Sequence, residues 1–422
     1  MKPQLIDEWK NLKNFLDCIE HASAPPSRAN IAEYLSLSRT TASTLVNRLI
    51  SLGIIQELTS EKNGRGRPGI PLQLSKDRWY ALGAAFSGDE WRFLIVDLEG
   101  NTIKEHTEKV ASFTVENFIR SLLAGFDRML QNKPGALLPL IGIGAPGLVD
   151  SDTGRIISAD DMAWRNVDLG KEVFRHTGLP ALIMNRHRLS GLAEARFGVG
   201  AGLFIKNLVY IGVGTGISAA FIIDGVLLEG SSFSAGEIGH MLIKANGPLC
   251  GCGKRGCLQA MASSQALVGI VETLHKSLLE NGKILPQNPL WKILQDKSLL
   301  SGELIGIEAN RNNEVAVSCM AKIAKPLGIA VANVINIMNP QKIIIGGSLG
   351  NTGPLLTSMI TREAAKHAMP TPFEAVIIEP SLLGDRAGAL GATCLPLQYK
   401  LELLMNHQIH GGASVRHGLL VS

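Results

Sequence analysis

Apolar positions near the start of the chain recur at three- and four-residue steps. Leu5, Trp9, Leu12, Phe15, Leu16 and Ile19 form one stripe and predict an amphipathic helix. Ile31, Ala32 and Leu35 form a second, with Ser27 placed to cap it. Leu37 falls in a turn. Ser38 then caps a third helix with an apolar face of Leu45, Val46, Leu49 and Ile50, and Gly53 stops it. The period next changes to alternation. Ile54–Leu58 and Pro71–Leu74 predict two short strands around the tip EKNGRGRPGIP. Helix, helix and basic-tipped hairpin is the order of a winged helix-turn-helix, with the first helix packed beneath it.

Beyond residue 79 the pattern is that of an α/β protein. Trp91–Asp97 and Thr102–Val110 predict a strand pair around Glu99-Gly100-Asn101, and a helix follows near 114–131. IGIGAPGLVD (141–150) is an apolar strand running into a glycine-proline turn. LVYIGVGTGISAAFIIDG (208–225) opens a second unit, and its GVGTG turn has backbone N–H groups free to face an anion. A long helical region is predicted over roughly 262–336, and KIIIGGSLG (342–350) returns as a buried strand with a Gly-Gly turn. Two such units predict two lobes with a cleft between them. The tail from about 401 has little pattern, and partial disorder is expected there.

With 422 residues, 45% hydrophobic and 18% charged, the chain has ample core for several domains and is not disordered. The charged start MKPQLIDEWK predicts no secretory leader, and the best apolar runs, such as 328–338, are too short to span a bilayer. A cytoplasmic protein with no membrane partner is expected. Eleven Lys/Arg against eight Asp/Glu in residues 1–78 account for +3 of the net +4, so the positive excess sits on the predicted winged helix. There, Arg39, Thr40, Ser43, Thr44 and Asn47 face away from the apolar stripe. Short hydrogen-bonding groups with one cation suit base edges and phosphates in a major groove. Arg65 and Arg67 alternate with glycines in the tip and suit a narrow minor groove. The competing readings are a helical bundle for protein contacts and a solvated glycine-rich linker.

Three of the six cysteines lie in GHMLIKANGPLCGCGKRGC (239–257). His240, Cys250, Cys252 and Cys257 supply four ligands of the kinds a tetrahedral structural zinc takes. The glycines permit a tight fold, and Lys254 and Arg255 offset the negative charge of Zn²⁺ with three thiolates. A reducing compartment argues against a disulfide knot. The alternative is a glycine turn with incidental thiols. One structural zinc per chain is expected. Cys18, Cys319 and Cys394 sit in apolar helical contexts and are read as packing residues.

The E-x-G-H string at Glu237–His240, with C-x-C-G-x-x-G-C from Cys250 to Cys257, resembles the ROK family of repressors, uncharacterised reading frames and sugar kinases. A-P-G-x-V-D at 145–150, G-x-G-T-G at 212–216 and IIIGGS at 343–348 match it too. The resemblance covers about 80–400. It implies an actin-like fold of two ribonuclease-H-type lobes closing on a sugar. With the winged helix, it implies a sugar-responsive transcriptional regulator, a homodimer or homotetramer on a double-stranded operator. The implied domains are 1–75 for the winged helix, 76–190 for the first lobe (completed by a C-terminal helix at about 384–405) and 191–383 for the second lobe, with the zinc motif and the self-association surface. In the family the zinc supports a loop of sugar-contacting residues, and the histidine can bind metal through one nitrogen and sugar through the other.

The chain departs from the family's kinases at two places. Where they carry D-x-G-G-T it has Ala85-Phe86-Ser87-Gly88-Asp89, and where they carry Asn-Asp it has Asn185-Arg186. That aspartate is the kinases' general base, and arginine stays protonated. No enzyme activity is therefore expected. Of the implied ligand residues, Asn185, Glu237 and His240 remain, whereas Asp161 replaces an Asn, Arg186 an Asp and Gln259 a Glu. Either Arg186 meets a carboxylate or phosphate of the effector, or it pairs with Asp161 or Glu237, or a neutral sugar binds in a changed pose. The alternatives to a sugar-controlled repressor are a sugar kinase with an appended DNA-binding domain and a regulator controlled by a protein partner.

Overall fold

The computed structural model describes residues 3–59, 69–201, 205–281, 288–293 and 300–410. The chain opens with α1 (Pro3–Glu20), α2 (Arg28–Tyr34), α3 (Arg39–Leu52), β1 (Ile55–Glu57) and β2 (Leu72–Leu74). A reciprocal cap starts α2: the Asn30 backbone donates to the Ser27 hydroxyl, and the Ser27 backbone to the Asn30 carboxamide at 3.1 Å. Ser38 caps α3 by accepting from the Thr41 backbone at 3.0 Å. Gly53, at φ 70°, ends α3 in the left-handed conformation that glycine adopts without strain. β1 and β2 pair antiparallel, Ile55 opposite Leu74. The apolar periodicity therefore places each of these elements. The hairpin tip with Arg65 and Arg67 lies outside the described residues.

The next unit runs β3 (Trp79–Ser87), β4 (Glu90–Val96), β5 (Thr102–Lys109), α4 (Val115–Leu130), β6 (Ala136–Ala145), β7 (Leu148–Asp150), β8 (Arg155–Ala159), β9 (Trp164–Val167), α5 (Leu169–Thr177) and β10 (Ala181–Asn185). Its main sheet has the order β10-β6-β3-β4-β5; β7, β8 and β9 form a small sheet of their own. A twelve-residue helix, α6 (Arg186–Phe197), follows.

The second unit is β11 (Leu208–Val213), β12 (Ile217–Ile223), β13 (Val226–Leu227), α7 (Leu258–Ala262), α8 (Ser264–Glu280), α9 (Pro289–Ile293), α10 (Gly302–Asn310), α11 (Glu314–Met338), β14 (Lys342–Gly346), α12 (Gly347–Gly350), α13 (Pro354–Ala364), α14 (Pro370–Ala375) and β15 (Ile377–Pro380). Its sheet order is β13-β12-β11-β14-β15. In both sheets three antiparallel strands are extended by two strands parallel to the first. The two lobes thus repeat one plan, the ribonuclease-H-type duplication of an actin-like fold. The chain ends with α15 (Ala387–Gln398) and α16 (Lys400–His410).

Several expectations need correction. The helical region at 262–336 is divided, because the Ser301 and Asn313 side chains cap fresh starts at α10 and α11. α11 has the length and composition to cross a membrane, with mean hydropathy 1.6, whereas the expectation was that the best apolar runs, such as 328–338, are too short. It is the central core helix of the second lobe, burying Cys319, Ile323, Leu327, Val331 and Ile335. The strand expected at 141–150 is two strands, β6 and β7. Residues 400–410 are helical rather than patternless, because Leu401, Leu403 and Leu404 are buried. The single helix expected at about 384–405 is α15 and α16, and α6 runs through the lobe boundary placed at 190.

One core joins the winged helix to the first lobe. Leu12, Phe15, Leu16 and Leu49 share it with Leu138, Leu182, Leu401 and Leu404. Trp79 adds a hydrogen bond from Nε1 to the Leu52 carbonyl at 2.8 Å. Phe15 is fully buried there, so Phe15→Ala is expected to cost about 3–5 kcal/mol by urea denaturation. A loss below about 1 kcal/mol would mean that α1 is not part of this core.

Candidate functional site

Two surfaces carry the chemistry expected from the sequence. On α3, Arg39, Thr40, Thr44 and Asn47 are exposed and Ser43 is half-buried, while Ala42, Leu45, Val46 and Leu49 face the core. Thr44 is partly engaged, its hydroxyl donating to the Thr40 carbonyl at 3.1 Å. The α3 candidates therefore share one solvent face, beginning at the helix N-terminus.

The second surface is a cleft of about 360 Å³ between the lobes, lined by Gly147, Asp160 and Met162 of the first lobe, Asn185, Arg186 and His187 at the start of α6, and Thr215, Ser218, Glu237, His240 and Gln259 of the second. That volume lies within the range of small-molecule sites, about 300–1,000 Å³. Five of the six expected ligand residues line it. The sixth, Asp161, falls in the 3-10 turn Asp160–Met162, and its side chain is outside the described set. Its neighbour Asp160, which sequence reasoning missed, lines the cleft and pairs with Arg165 at 2.8 Å.

The polar groups of the cleft are not equally free. Asn185 Oδ1 accepts from the His187 and Arg188 backbones at 2.9 and 3.4 Å, and Nδ2 donates to the Gly147 carbonyl at 2.9 Å. Its amide caps α6 and ties it to the first lobe. Arg186 lies 3.4 Å from the Phe86 carbonyl and 3.5 Å from the Thr215 hydroxyl, at the mouth of the GVGTG turn. The Gln259 side-chain Oε1 accepts from the Ile217 backbone at 3.3 Å. Burial holds the Glu237 carboxyl above its ordinary pKa, with the nearby His240 and Arg188 opposing. Arg188, almost wholly buried, donates to the carbonyls of Phe233 and Leu228 and so holds the loop that leads to Glu237.

One wall of the cleft is the cysteine loop. His240, Cys250, Cys252 and Cys257 place their ligand atoms within 4.8 Å of one another. Cys252 Sγ lies 3.8 Å from Cys257 Sγ, and Cys250 Sγ lies 3.8 Å from His240 Nδ1. Tetrahedral bonds of about 2.3 Å imply ligand separations of about 3.8 Å, so the set fits a metal ion. Nδ1 is the ring nitrogen beside the Cys250 sulfur, and His240 also lines the cleft. Gly256 is required by the fold of the loop: its φ is 74°, and a Cβ there would fall 1.7 Å from the Lys244 carbonyl. Burial and its sulfur neighbours push the Cys257 thiol up to about 12; a divalent cation would reverse that by ionising it.

A feature with no local sequence signal lies at the two glycine turns. Ser348, in the Gly346-Gly347-Ser348 turn, donates to Glu303 Oε1, and Ser264 Oγ lies 3.4 Å from the same oxygen. A Cβ on Gly214 would fall 2.9 Å from Ser348 Oγ, so this carboxylate stands close to both turns. Glu303 is remote from them in sequence, and only the packing of α10 brings it there.

The ROK family profile matches residues 82–398, and the chain belongs to that family. It is 29% identical over 379 residues to a xylose repressor of Caldicellulosiruptor bescii, covering 89% of this chain and 92% of the relative. Among solved structures it is similar to a ROK family transcriptional regulator described as a homologue of the E. coli MLC protein. The TM-score is 0.77 at 25% identity, over 96% of this chain and all of the other. It is also similar to a ROK family glucokinase from Streptomyces griseus in complex with glucose and AMPPNP. There the TM-score is 0.66 at 26% identity, over 76% of this chain and 99% of the glucokinase.

His187 is the cleft residue least visible in the sequence. Its ring packs on Gly212, where a Cβ would fall 2.0 Å from Nδ1. Burial, helped by the adjacent Arg186 charge, lowers its pKa to about 3. The unfolded chain therefore takes up this proton first. The associated stability is complete above about pH 6.5 and is lost as pH falls toward 3, by up to about 1.4 kcal/mol per pH unit. His187→Gln should remove that part of the slope in urea titrations between pH 7 and 5. An unchanged slope would show that the imidazole is hydrated in the folded protein.

Proposed function

We propose that this protein is a sugar-responsive transcriptional repressor of carbohydrate genes. The winged helix binds a duplex operator and the cleft takes a carbohydrate effector without phosphorylating it. The observation that carries this reading is a winged helix sharing one core with a two-lobed sugar-kinase-like cleft. The repressors among its relatives support it.

Three side chains oppose phosphoryl transfer on this reading. Arg186 stands at the end of β10, where a general base would be needed, and a guanidinium stays charged. Asp89 stands at the β3–β4 turn, and Glu303 beside the two glycine turns; both would repel a triphosphate. Arg39, Thr40, Ser43, Thr44 and Asn47 would read the operator from α3, with Arg65 and Arg67 in the adjacent groove. A homodimer or homotetramer would place two recognition helices on a palindromic site. Among the cleft residues, Glu237, His240, Arg186 and Gln259 would contact the effector and Asn185 would hold α6 in place.

The test uses the full chain and an operator fragment selected by it from random duplex. Sugars, sugar acids and sugar phosphates are added to the complex, and ADP release from ATP is followed in parallel. Operator affinity should respond to at least one carbohydrate with no turnover, whereas turnover would make the protein a kinase with an appended DNA-binding domain. Arg39→Ala should weaken operator binding and reduce the salt slope by about one phosphate contact; equal slopes would remove Arg39 from the phosphate contacts.

The metal in the cysteine loop is, on this reading, structural zinc. Elemental analysis should give about one zinc per chain. Cys252→Ser should lose it together with thermal stability, and full retention of metal by that variant would exclude Cys252 as a ligand.

A further inference from the structure

Helix α6 meets the effector cleft at one end and the DNA-binding unit at the other. Its first turn, with Arg186 and His187, is cleft wall. Its last turn carries Arg196, whose guanidinium lies 3.8 Å from the Glu20 carboxylate at the end of α1. Between these ends the helix is a rod of about 18 Å at 1.5 Å per residue. Glu20 has a second cation: Lys400 of α16, 4% exposed, pairs with its other oxygen.

The two cations have different anchorage. Lys400 belongs to α16, whose Leu401, Leu403 and Leu404 lie in the core shared by the winged helix and the first lobe. Arg196 belongs to a helix that rests on both lobes. On the first-lobe side, α6 meets α15 so closely that a Cβ on Gly391 would fall 1.9 Å from the Leu189 carbonyl. On the other, Gly191 lies against Tyr210 and Ala220 of the second sheet. Glu194, fully buried, accepts from the Ser381 hydroxyl and the Leu383 backbone beyond β15. A shift of the second lobe therefore bears on α6 along its length, while Lys400 and Glu20 keep their common footing. The Arg196 side chain is 31% exposed and its 3.8 Å contact is at the outer limit of an ion pair, whereas the Lys400–Glu20 pair is buried, so a small displacement of α6 breaks the first contact and leaves the second in place.

We propose that the Arg196–Glu20 pair is the joint through which the state of the cleft reaches the winged helix. This rests on the cleft being the effector site. Arg196 and Glu20 are positioning residues that touch neither sugar nor DNA.

The test is Arg196→Met, which keeps the apolar stem and the Lys400–Glu20 pair, with Arg196→Lys as the charge-retaining control. D-xylose and D-glucose are the probes, sugar binding is read by thermal shift, and operator affinity is measured with and without sugar. In Arg196→Met the thermal shift and the sugar-free operator affinity should stay within about two-fold of wild type. The ratio of operator affinities with and without sugar, of order 5- to 150-fold for a working coupling, should collapse toward one. Arg196→Lys should recover part of it. An undiminished ratio in Arg196→Met overturns the joint and leaves the effector site standing, as does a wild type that binds sugar with no change in operator affinity. A wild type with no thermal shift for either sugar overturns the effector reading for these probes and the joint with it.

Discussion

The close approach of α15 to its neighbours is the constraint on which the arrangement of the functional parts depends. A Cβ on Gly142 would fall 1.8 Å from the Ala392 carbonyl, one on Gly83 2.6 Å from the Thr393 backbone nitrogen, and one on Gly391 1.9 Å from the Leu189 carbonyl. Strands β3 and β6 and helix α6 therefore meet α15 backbone to backbone, at distances only glycine permits. This contact fixes the line of α6. The position of α6 in turn sets the floor of the cleft at its first turn and the place of Arg196 at its last.

The cleft is built from groups that mostly serve one another. Asn185 caps α6, Arg188 holds the loop before Glu237, and the cysteine loop carries His240 and Lys254 to the rim. Such mutual support holds the remaining contact groups in place before any ligand arrives, which lowers the ordering cost of binding. A metal held by the cysteine loop would act in the same sense, by fixing the ring of His240, which also lines the cleft. The loop has no long hydrophobic segment of its own to fold around, so its ligands and its glycines determine its shape.

The same fold holds sugar kinases, and on the proposed reading a few side chains separate the two uses. On the proposed reading, Arg186 offers no base where one would be needed, while the negative charges of Asp89 at its turn and Glu303 at the glycine turns would oppose a phosphate. None disturbs the sheets or the lobes. On the function proposed above, the fold would keep its sugar cleft without the kinase chemistry, and the added winged helix would convert lobe position into a second output.

The sequence by itself determined the local elements and the chemistry carried by short strings. Apolar spacing and capping residues set α1 to α3 and the hairpin strands, because those signals act within a few residues. Four ligands within eighteen residues marked the metal loop, and Asn185-Arg186 marked the altered cleft. Only the tertiary structure decided what depends on contacts between distant segments. Residues 400–410 form a helix because the core that joins the winged helix to β6 of the first lobe takes in Leu401 and Leu404. Glu303 reaches the glycine turns only through the packing of α10, and His187 is buried only because Gly212 leaves room for its ring. Glu20, Arg196 and Lys400 are scattered charges in the sequence. They meet because α1, α6 and α16 converge, and a one-dimensional pattern carries no record of that convergence.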